Sequence, residues 1–227
     1  ETQKFIKQSF SNNFREKLFP GTNEDDPVII SLRNHEEIYD IPTFINAAPE
    51  VLKFFPNAKF AIGGSGTLTE SYKELVEKLD LTESFNFFGR YDHKELPHLF
   101  GQCAAYVSTS LSDAGISGST AEAMSCEVPV IISMSGENEL WVEDKVNGLL
   151  FEVKDHDRLS RNIIDLLNKK EEKKLNEISS IYKNINIEFI SISIKKKINM
   201  DEVSKKLKNH KTLLIGNSGI GKSSLIN

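Results

Sequence analysis

The chain has 227 residues, of which 39% are hydrophobic and 27% charged, as is ordinary for a water-soluble globular protein. This length permits one large domain or two smaller ones. No apolar run approaches the roughly 20 residues that a membrane-spanning helix needs, and the first residues do not resemble a signal peptide. We therefore expect a cytoplasmic protein, at most peripheral to the inner membrane, in which Cys103 and Cys126 are reduced core residues.

The formal net charge of −5 is unevenly distributed along the chain. Residues 1–165 are strongly acidic, whereas residues 166–227 are basic. This contrast suggests two modules, of which the basic one could face nucleic acid. Solvated lysine-rich helices would explain the basic charge equally well.

Short apolar runs alternate with helical patterns through residues 27–165. The predicted strands are Pro27–Leu32, Lys59–Ile62, Phe85–Phe88, Cys103–Val107, Val128–Ile132 and Leu149–Phe151. The predicted helices are Pro42–Phe55, Glu70–Leu79, Lys94–Gln102, Ser119–Ser125, a short one near Glu139–Val142 and one that begins at Asp157. The alternation predicts an α/β fold with a doubly wound, parallel, Rossmann-like sheet.

Polar or glycine-rich residues follow four of the predicted strands. They are Arg33, the loop Gly63–Gly66, the pair Gly89-Arg90 and the loop Asp113–Ser119. Because ligands of such sheets bind beyond the carboxyl ends of the strands, we expect these features to form one site. The remaining polar candidates, His35, His93, His98 and His156, are placed by no motif and are expected at the surface.

The loop before the helix Ser119–Ser125 contains Gly115 and Gly118. Loop amides and the positive end of the helix dipole together make a place for an anion. Glu122, one turn into the helix, can accept two hydroxyl hydrogen bonds from a sugar ring. Taken alone, the loop is better explained as a connector and Glu122 as a solvated residue.

Seven short segments of residues 27–165 resemble, in order and spacing, the C-terminal, nucleotide-sugar-binding half of family 4 retaining glycosyltransferases, whose GT-B fold has two facing Rossmann-like domains. The segments are Ser31-Leu32-Arg33, Gly64-Ser65-Gly66, Phe88-Gly89-Arg90, Ala121-Glu122-Ala123-Met124, Pro129-Val130-Ile131, Gly136-Glu137-Asn138-Glu139 and Asn147-Gly148-Leu149. The resemblance implies a UDP- or GDP-type sugar donor and hexosyl transfer to a glycan or lipid-linked acceptor.

The resemblance also implies roles for single residues. Arg33 would pair with the donor diphosphate, for which a planar guanidinium is suited. Arg90 and Tyr91 would border the base, and Glu122 would bind the ribose hydroxyls. The full set of expected donor-binding residues is Arg33, Gly64, Ser65, Gly66, Arg90, Tyr91, Gly115, Ile116, Ser117 and Glu122.

Three positions depart from the pattern of that family. The Glu expected eight residues before Glu122 is replaced by Ala114, which leaves Asp113 and Glu122 as candidates for positioning the transferred sugar. The Lys expected to join Arg33 on the phosphates has no counterpart, and Glu127 stands where Gly is usual.

The acceptor domain of that family is expected to be missing, because residues 1–26 hold no motif and are too short to form it. Without a facing domain no water-excluded cleft closes around the donor. We therefore expect donor binding without transfer.

An apolar run at residues 212–215 precedes a glycine-rich loop of the form G-x-x-x-x-G-K-S. Successive amides of such a loop cradle phosphates, Lys222 reaches the β/γ oxygens and Ser223 ligates Mg²⁺. The expected phosphate-binding residues are Gly216, Asn217, Ser218, Gly219, Ile220, Gly221, Lys222, Ser223 and Ser224.

Roughly residues 162–227 resemble the circularly permuted, ribosome small-subunit-dependent GTPases, in which guanine motifs precede the phosphate loop. Ile187–Ser193 would be the strand that carries the guanine loop. The N-K-x-D motif is matched best by Asn162–Asp165, with Ile in place of Lys, or more weakly by Asn168–Glu171. The resemblance implies GTP and Mg²⁺ binding, ribosome biogenesis and contact with ribosomal RNA. No hydrolysis is expected, because the chain stops before the switch elements.

Residues 157–175 fit both resemblances, and no linker rich in Pro, Gly or Ser separates them. We expect a leader at 1–26, a donor-binding domain at 27–165 and a truncated P-loop GTPase-like segment at 166–227. A chimera of two truncated genes is our hypothesis for this arrangement. A nucleotide-binding or interaction module without catalysis is a third interpretation.

Overall fold

A computed structural model describes residues 13–23, 25–184, 190–193 and 197–208. Its strands are β1 (Val28–Leu32), β2 (Lys59–Gly63), β3 (Phe85–Gly89), β4 (Ala105–Ser108), β5 (Val130–Ser133) and β6 (Leu149–Phe151). Its helices are α1 (Asn13–Leu18), α2 (Ile41–Phe54), α3 (Thr69–Lys78), α4 (Leu96–Gly101), α5 (Gly118–Ser125), α6 (Asn138–Trp141), α7 (His156–Asn184) and α8 (Met200–Leu207). Short 3₁₀ helices occupy Glu37–Tyr39, Thr82–Ser84 and His93–Glu95.

All six strands form one parallel sheet with the order β3-β2-β1-β4-β5-β6. This is the strand order of doubly wound nucleotide-binding sheets, in which the direction of winding reverses between β1 and β4. The predicted fold class is therefore confirmed for the described residues.

Helices cover both faces of the sheet, and neighbouring residues of a strand point to opposite faces. Ile29 belongs to a cluster packed under α2, α3 and α7, whereas Ile30 belongs to a second cluster packed under α1, α4 and α5. Leu18 and Phe19, which end and follow α1, are buried in the second cluster. A stretch without a sequence motif thus contributes to the core.

Contacts between residues divide the chain into two compact units at Leu167 and Asn168. In the first unit, the opening turns of α7 cover the sheet with buried Leu159 and Ile163. Asn162 is also buried, and its side-chain amide donates to the carbonyl of Leu150 at 3.1 Å. Three of the four residues of the better candidate for the guanine motif are therefore buried in the sheet unit, whereas Asp165 is exposed.

The second unit contains the end of α7, an isolated antiparallel bridge between Ser193 and Ile198, and α8. The predicted strand at 187–193 is described only from residue 190 onward, where Ser193 alone takes part in strand-like pairing. Asn199, in a left-handed conformation at φ 55°, donates through its side chain to the carbonyl of Ser191 at 2.9 Å. The predicted phosphate loop at 216–224 lies outside the described residues.

Candidate functional site

Arg33 follows β1 and the loop 109–117 follows β4, so both lie where the winding of the sheet reverses. The guanidinium Nε of Arg33 donates to Ser110 Oγ at 3.0 Å, and its Nη2 forms an ion pair with Asp113. The ring of Tyr39 lies 4.8 Å from the guanidinium carbon, close enough for a cation–π contact. Arg33 thus contacts a hydroxyl, a carboxylate and an aromatic ring at the point where the winding of the sheet reverses.

The Arg33–Asp113 pair is largely excluded from water, with side-chain exposures of 9% and 11%. A buried ion pair is held in place by further hydrogen bonds, since its desolvation is costly. Ser110 is itself fixed, because Ser133 Oγ donates to its carbonyl at 2.6 Å. Ser110 was not among the expected site residues, although its position two residues after β4 could have indicated it.

The glycine loop after β2 approaches the backbone of Arg33 very closely. Gly64 has φ +115°, and a Cβ placed there would lie 2.1 Å from the Arg33 carbonyl oxygen. A Cβ at Gly66 would lie 2.4 Å from the carbonyl oxygen of His35. These contacts require glycine, and they hold the loop against the residues that follow β1.

His35 is completely buried, so its expected surface position is wrong. Its Nδ1 shares a hydrogen bond with Thr69 Oγ1 at 2.8 Å, and its backbone amide donates to Ser65 at 3.2 Å. Burial lowers the pKa of the imidazole, while Glu36 and the Gly63 carbonyl oppose that effect. A neutral histidine therefore braces the glycine loop.

Arg90 and Tyr91 follow β3, beside the glycine loop. Arg90 is exposed, and its Nε donates to Ser65 Oγ at 3.2 Å. Burial raises the pKa of the Tyr91 phenol to about 12, with further upward contributions from Tyr106 and Glu122. Tyr91 is therefore a neutral hydrogen-bonding group at physiological pH.

The loop 109–117 leads into α5, whose N-cap is Ser117. Ser117 Oγ accepts from the amide of Thr120 at 3.2 Å, as an N-cap side chain does. Gly115 has φ +83° and lies near the exposed Trp141. Ile116 is partly buried beside them.

Glu122 lies in the second turn of α5 with 21% of its side chain exposed. His93, which begins the 3₁₀ helix after β3, places its Nε2 2.6 Å from Glu122 Oε1. Since a carboxylate can only accept, the imidazole donates this hydrogen bond. The contact joins the 3₁₀ helix that follows β3 to α5, and no sequence motif had indicated His93.

Two contacts pair expected residues with each other, Arg33 with Asp113 and Ser65 with Arg90, and a third pairs Glu122 with His93, which was not among the expected site residues. All of them lie on loops or helices that follow the strands at the carboxyl edge. The part of the chain that the structure describes contains no group of three His, Cys, Asp or Glu residues able to hold a metal ion. Cys103 and Cys126 form no disulfide among these residues.

The strand order, the reversal point and the glycine loop define a Rossmann-like fold. The profile of the family described as Glycosyl transferases group 1 matches residues 13–183. Because this match spans most of the chain, the chain belongs to the group 1 glycosyltransferase family.

Two curated relatives match different lengths of the chain. The small ribosomal subunit biogenesis GTPase RsgA of Borreliella burgdorferi strain ZS7 is 42% identical over 65 residues, 29% of this chain and 21% of the relative. Alpha-monoglucosyldiacylglycerol synthase of Acholeplasma laidlawii is 24% identical over 152 residues, 65% of this chain and 37% of the relative. The chain thus spans well under half the length of either protein.

A solved structure of Anabaena Alr3699/HepE in complex with UDP-glucose has a similar fold. The TM-score is 0.65 at 21% identity, over 75% of this chain and 46% of that chain. At this identity the similarity establishes the fold, which is that of a GT-B glycosyltransferase domain. No helix among the described residues is long and apolar enough to span a membrane.

Proposed function

We propose that the sheet unit binds the nucleotide-sugar donor of a retaining glycosyltransferase. The observation that carries this proposal is Arg33 at the reversal point of the sheet, flanked by Ser110 and the close-packed glycine loop. A guanidinium there can hold a diphosphate by two charge-assisted hydrogen bonds, and the loop lets backbone amides approach the same phosphates. Family membership and the UDP-glucose complex of HepE support this assignment.

The other expected residues fit the parts of such a donor. Arg90 and Tyr91 border the base, Glu122 accepts the ribose hydroxyls, and Asp113 is the candidate for positioning the transferred sugar. The acceptor is a glycan or a lipid-linked molecule, and the similarity to alpha-monoglucosyldiacylglycerol synthase favours a lipid. Hexosyl transfer needs an acceptor surface facing the donor, so donor binding is the activity we assign to this unit.

Titration calorimetry on the 227-residue chain tests this assignment with UDP, GDP and their hexose conjugates. We expect one of the two nucleotide types to bind and Arg33→Ala to weaken binding by about 30-fold or more, since hydrogen bonds to charged groups contribute about 1.5–3 kcal/mol each. Arg161→Ala, at an exposed position of α7, is the matched control and should bind like the wild type. Absence of binding to every one of these nucleotides, in a chain shown to be folded, would refute the assignment.

A second candidate function belongs to the C-terminal segment. The 42% identity to RsgA over 65 residues and the sequence Gly216–Ser223 favour binding of GTP with Mg²⁺ and a role in ribosome biogenesis. We expect Mg²⁺-dependent GTP binding that Lys222→Ala abolishes and Arg33→Ala leaves unchanged. Binding of GTP that is lost in Arg33→Ala instead would assign it to the sheet unit.

A further inference from the structure

The short contact between His93 and Glu122 connects two elements that are each held firmly. Asp92 caps the 3₁₀ helix that His93 begins, accepting from the amide of Lys94 at 2.9 Å. That helix runs directly into α4, whose Leu96 and Phe100 are buried against the sheet. The imidazole is therefore presented from an anchored backbone, although the side chain itself is 66% exposed.

Glu122 is anchored in the same way from the other side. The next residue, Ala123, is completely buried, and the N-cap at Ser117 fixes the start of α5. What remains variable is the rotamer of a long carboxylate side chain, which has three rotatable torsions. The hydrogen bond from His93 Nε2 to Oε1 removes this freedom.

We propose that His93 is a positioning residue for nucleotide recognition, which holds the carboxylate of Glu122 where it accepts the ribose hydroxyls. The inference rests on the proposed donor site. One carboxylate oxygen takes the imidazole donor, and the carboxylate as a whole still has acceptor sites for two hydroxyl groups. His93 thereby contributes to the preference for ribonucleotides over deoxyribonucleotides without touching the sugar.

A carboxylate already held in the bound rotamer loses less side-chain entropy when the nucleotide arrives. This gain exists only for ligands that use the carboxylate. Removal of His93 should therefore weaken nucleotides with both ribose hydroxyls more than 2′-deoxynucleotides, which offer the carboxylate only one hydroxyl. A merely structural histidine would affect both ligands alike.

The test uses the full chain and calorimetric titration with UDP and GDP and with their 2′-deoxy counterparts. We expect the wild type to prefer the ribonucleotide, and His93→Ala to weaken its binding by about 5-fold, as expected for one partly exposed charge-assisted hydrogen bond. His93→Gln, whose amide can donate from a similar position, should recover most of the preference. His98→Ala, which removes an exposed histidine on α4, is the matched control.

A double-mutant cycle with Glu122→Gln identifies the pathway of the effect. We expect His93→Ala to have no further effect in that background, because the carboxylate it positions is already replaced. If the wild type binds, and His93→Ala weakens ribo- and deoxynucleotides equally or weakens neither, the proposed role of His93 is wrong. Failure of the wild type to bind any of the four ligands would overturn the donor site as well.

Discussion

The buried contact at the reversal point and the exposed contacts at the rim are built from similar groups but differ in environment. Arg33 and Asp113 lie almost out of water, whereas Arg90 and His93 are exposed beside Ser65 and Glu122. Charged groups interact more strongly where water is excluded, and exposed pairs contribute little. The buried contact should therefore contribute most to nucleotide affinity and to the stability of the fold. The exposed contacts at the rim should mainly influence which nucleotide binds.

The largest expected effect comes from the close approach that shapes the buried region. In Gly64→Ala the new Cβ would lie 2.1 Å from the backbone oxygen of Arg33, at a φ of +115° that L residues rarely adopt. We expect a loss of roughly 3 kcal/mol or more in the free energy of unfolding, measured by urea denaturation, together with loss of donor binding. Gly118→Ala, at a site with nothing within 4 Å, is the control. Equal stability of the two variants would contradict this contact.

The ion pair between Arg33 and Asp113 should weaken the binding of a diphosphate to Arg33. Asp113 forms an ion pair with Arg33, so a diphosphate that binds Arg33 must displace this carboxylate and loses part of its intrinsic affinity in doing so. In Asp113→Asn we expect UDP or GDP to bind about 5-fold more tightly, while the free energy of unfolding falls by about 1–2 kcal/mol. Asp80→Asn, an exposed position in a left-handed conformation, is the control.

Comparison of free nucleotide with sugar conjugate separates two roles of Asp113. If the carboxylate also contacts the transferred sugar, Asp113→Asn should weaken the nucleotide sugar relative to the free nucleotide. If it serves only as a counter-ion, both ligands should gain affinity equally. A loss of affinity for both would contradict the competition between the carboxylate and the diphosphate.

Acidic pH should destabilise the folded chain through His35. Its folded pKa lies below the ordinary value of 6.5, so the unfolded chain binds more protons in mildly acidic solution. The contribution of the neutral ring is present above pH 6.5 and declines as the pH falls below that value. We expect the free energy of unfolding to decrease in this range, and His35→Gln to show a flatter profile. An identical pH profile in the two chains would show that His35 is not the source of the pH dependence. His98→Ala is the control for an exposed histidine.

The sequence predicts the strands well because their apolar runs are local signals. Leu149–Phe151 is found at its predicted bounds, and the other strands differ by one or two residues. The predicted helix Lys94–Gln102 is divided into a 3₁₀ helix and α4, with Pro97 in the first turn of α4, where a proline needs no hydrogen-bond donor. The roles of single donor-site residues and the domain boundaries remain predictions.

Contacts between distant residues could not be predicted in the same way. His35 was expected at the surface because a histidine usually lies there, yet Thr69, 34 positions away, supplies its buried partner. Asp113 is 80 positions from Arg33 and Glu122 is 29 positions from His93. Only the folding of the sheet brings these partners together, so a motif can indicate a member of the site but not its partner.

The smallest effect is expected at the rim, where Arg90 donates to Ser65 at 3.2 Å in contact with solvent. Exposed polar contacts contribute about 0–1 kcal/mol, so Arg90→Ala should weaken nucleotide binding by only about 2- to 3-fold and leave the free energy of unfolding almost unchanged. Its effect should diminish at high salt, because an exposed charge is screened. Calorimetry at two ionic strengths measures nucleotide affinity in Arg90→Ala and, for comparison, in Arg33→Ala. A loss as large as that of Arg33→Ala would show that the rim, and not the buried contact, provides the main grip on the ligand.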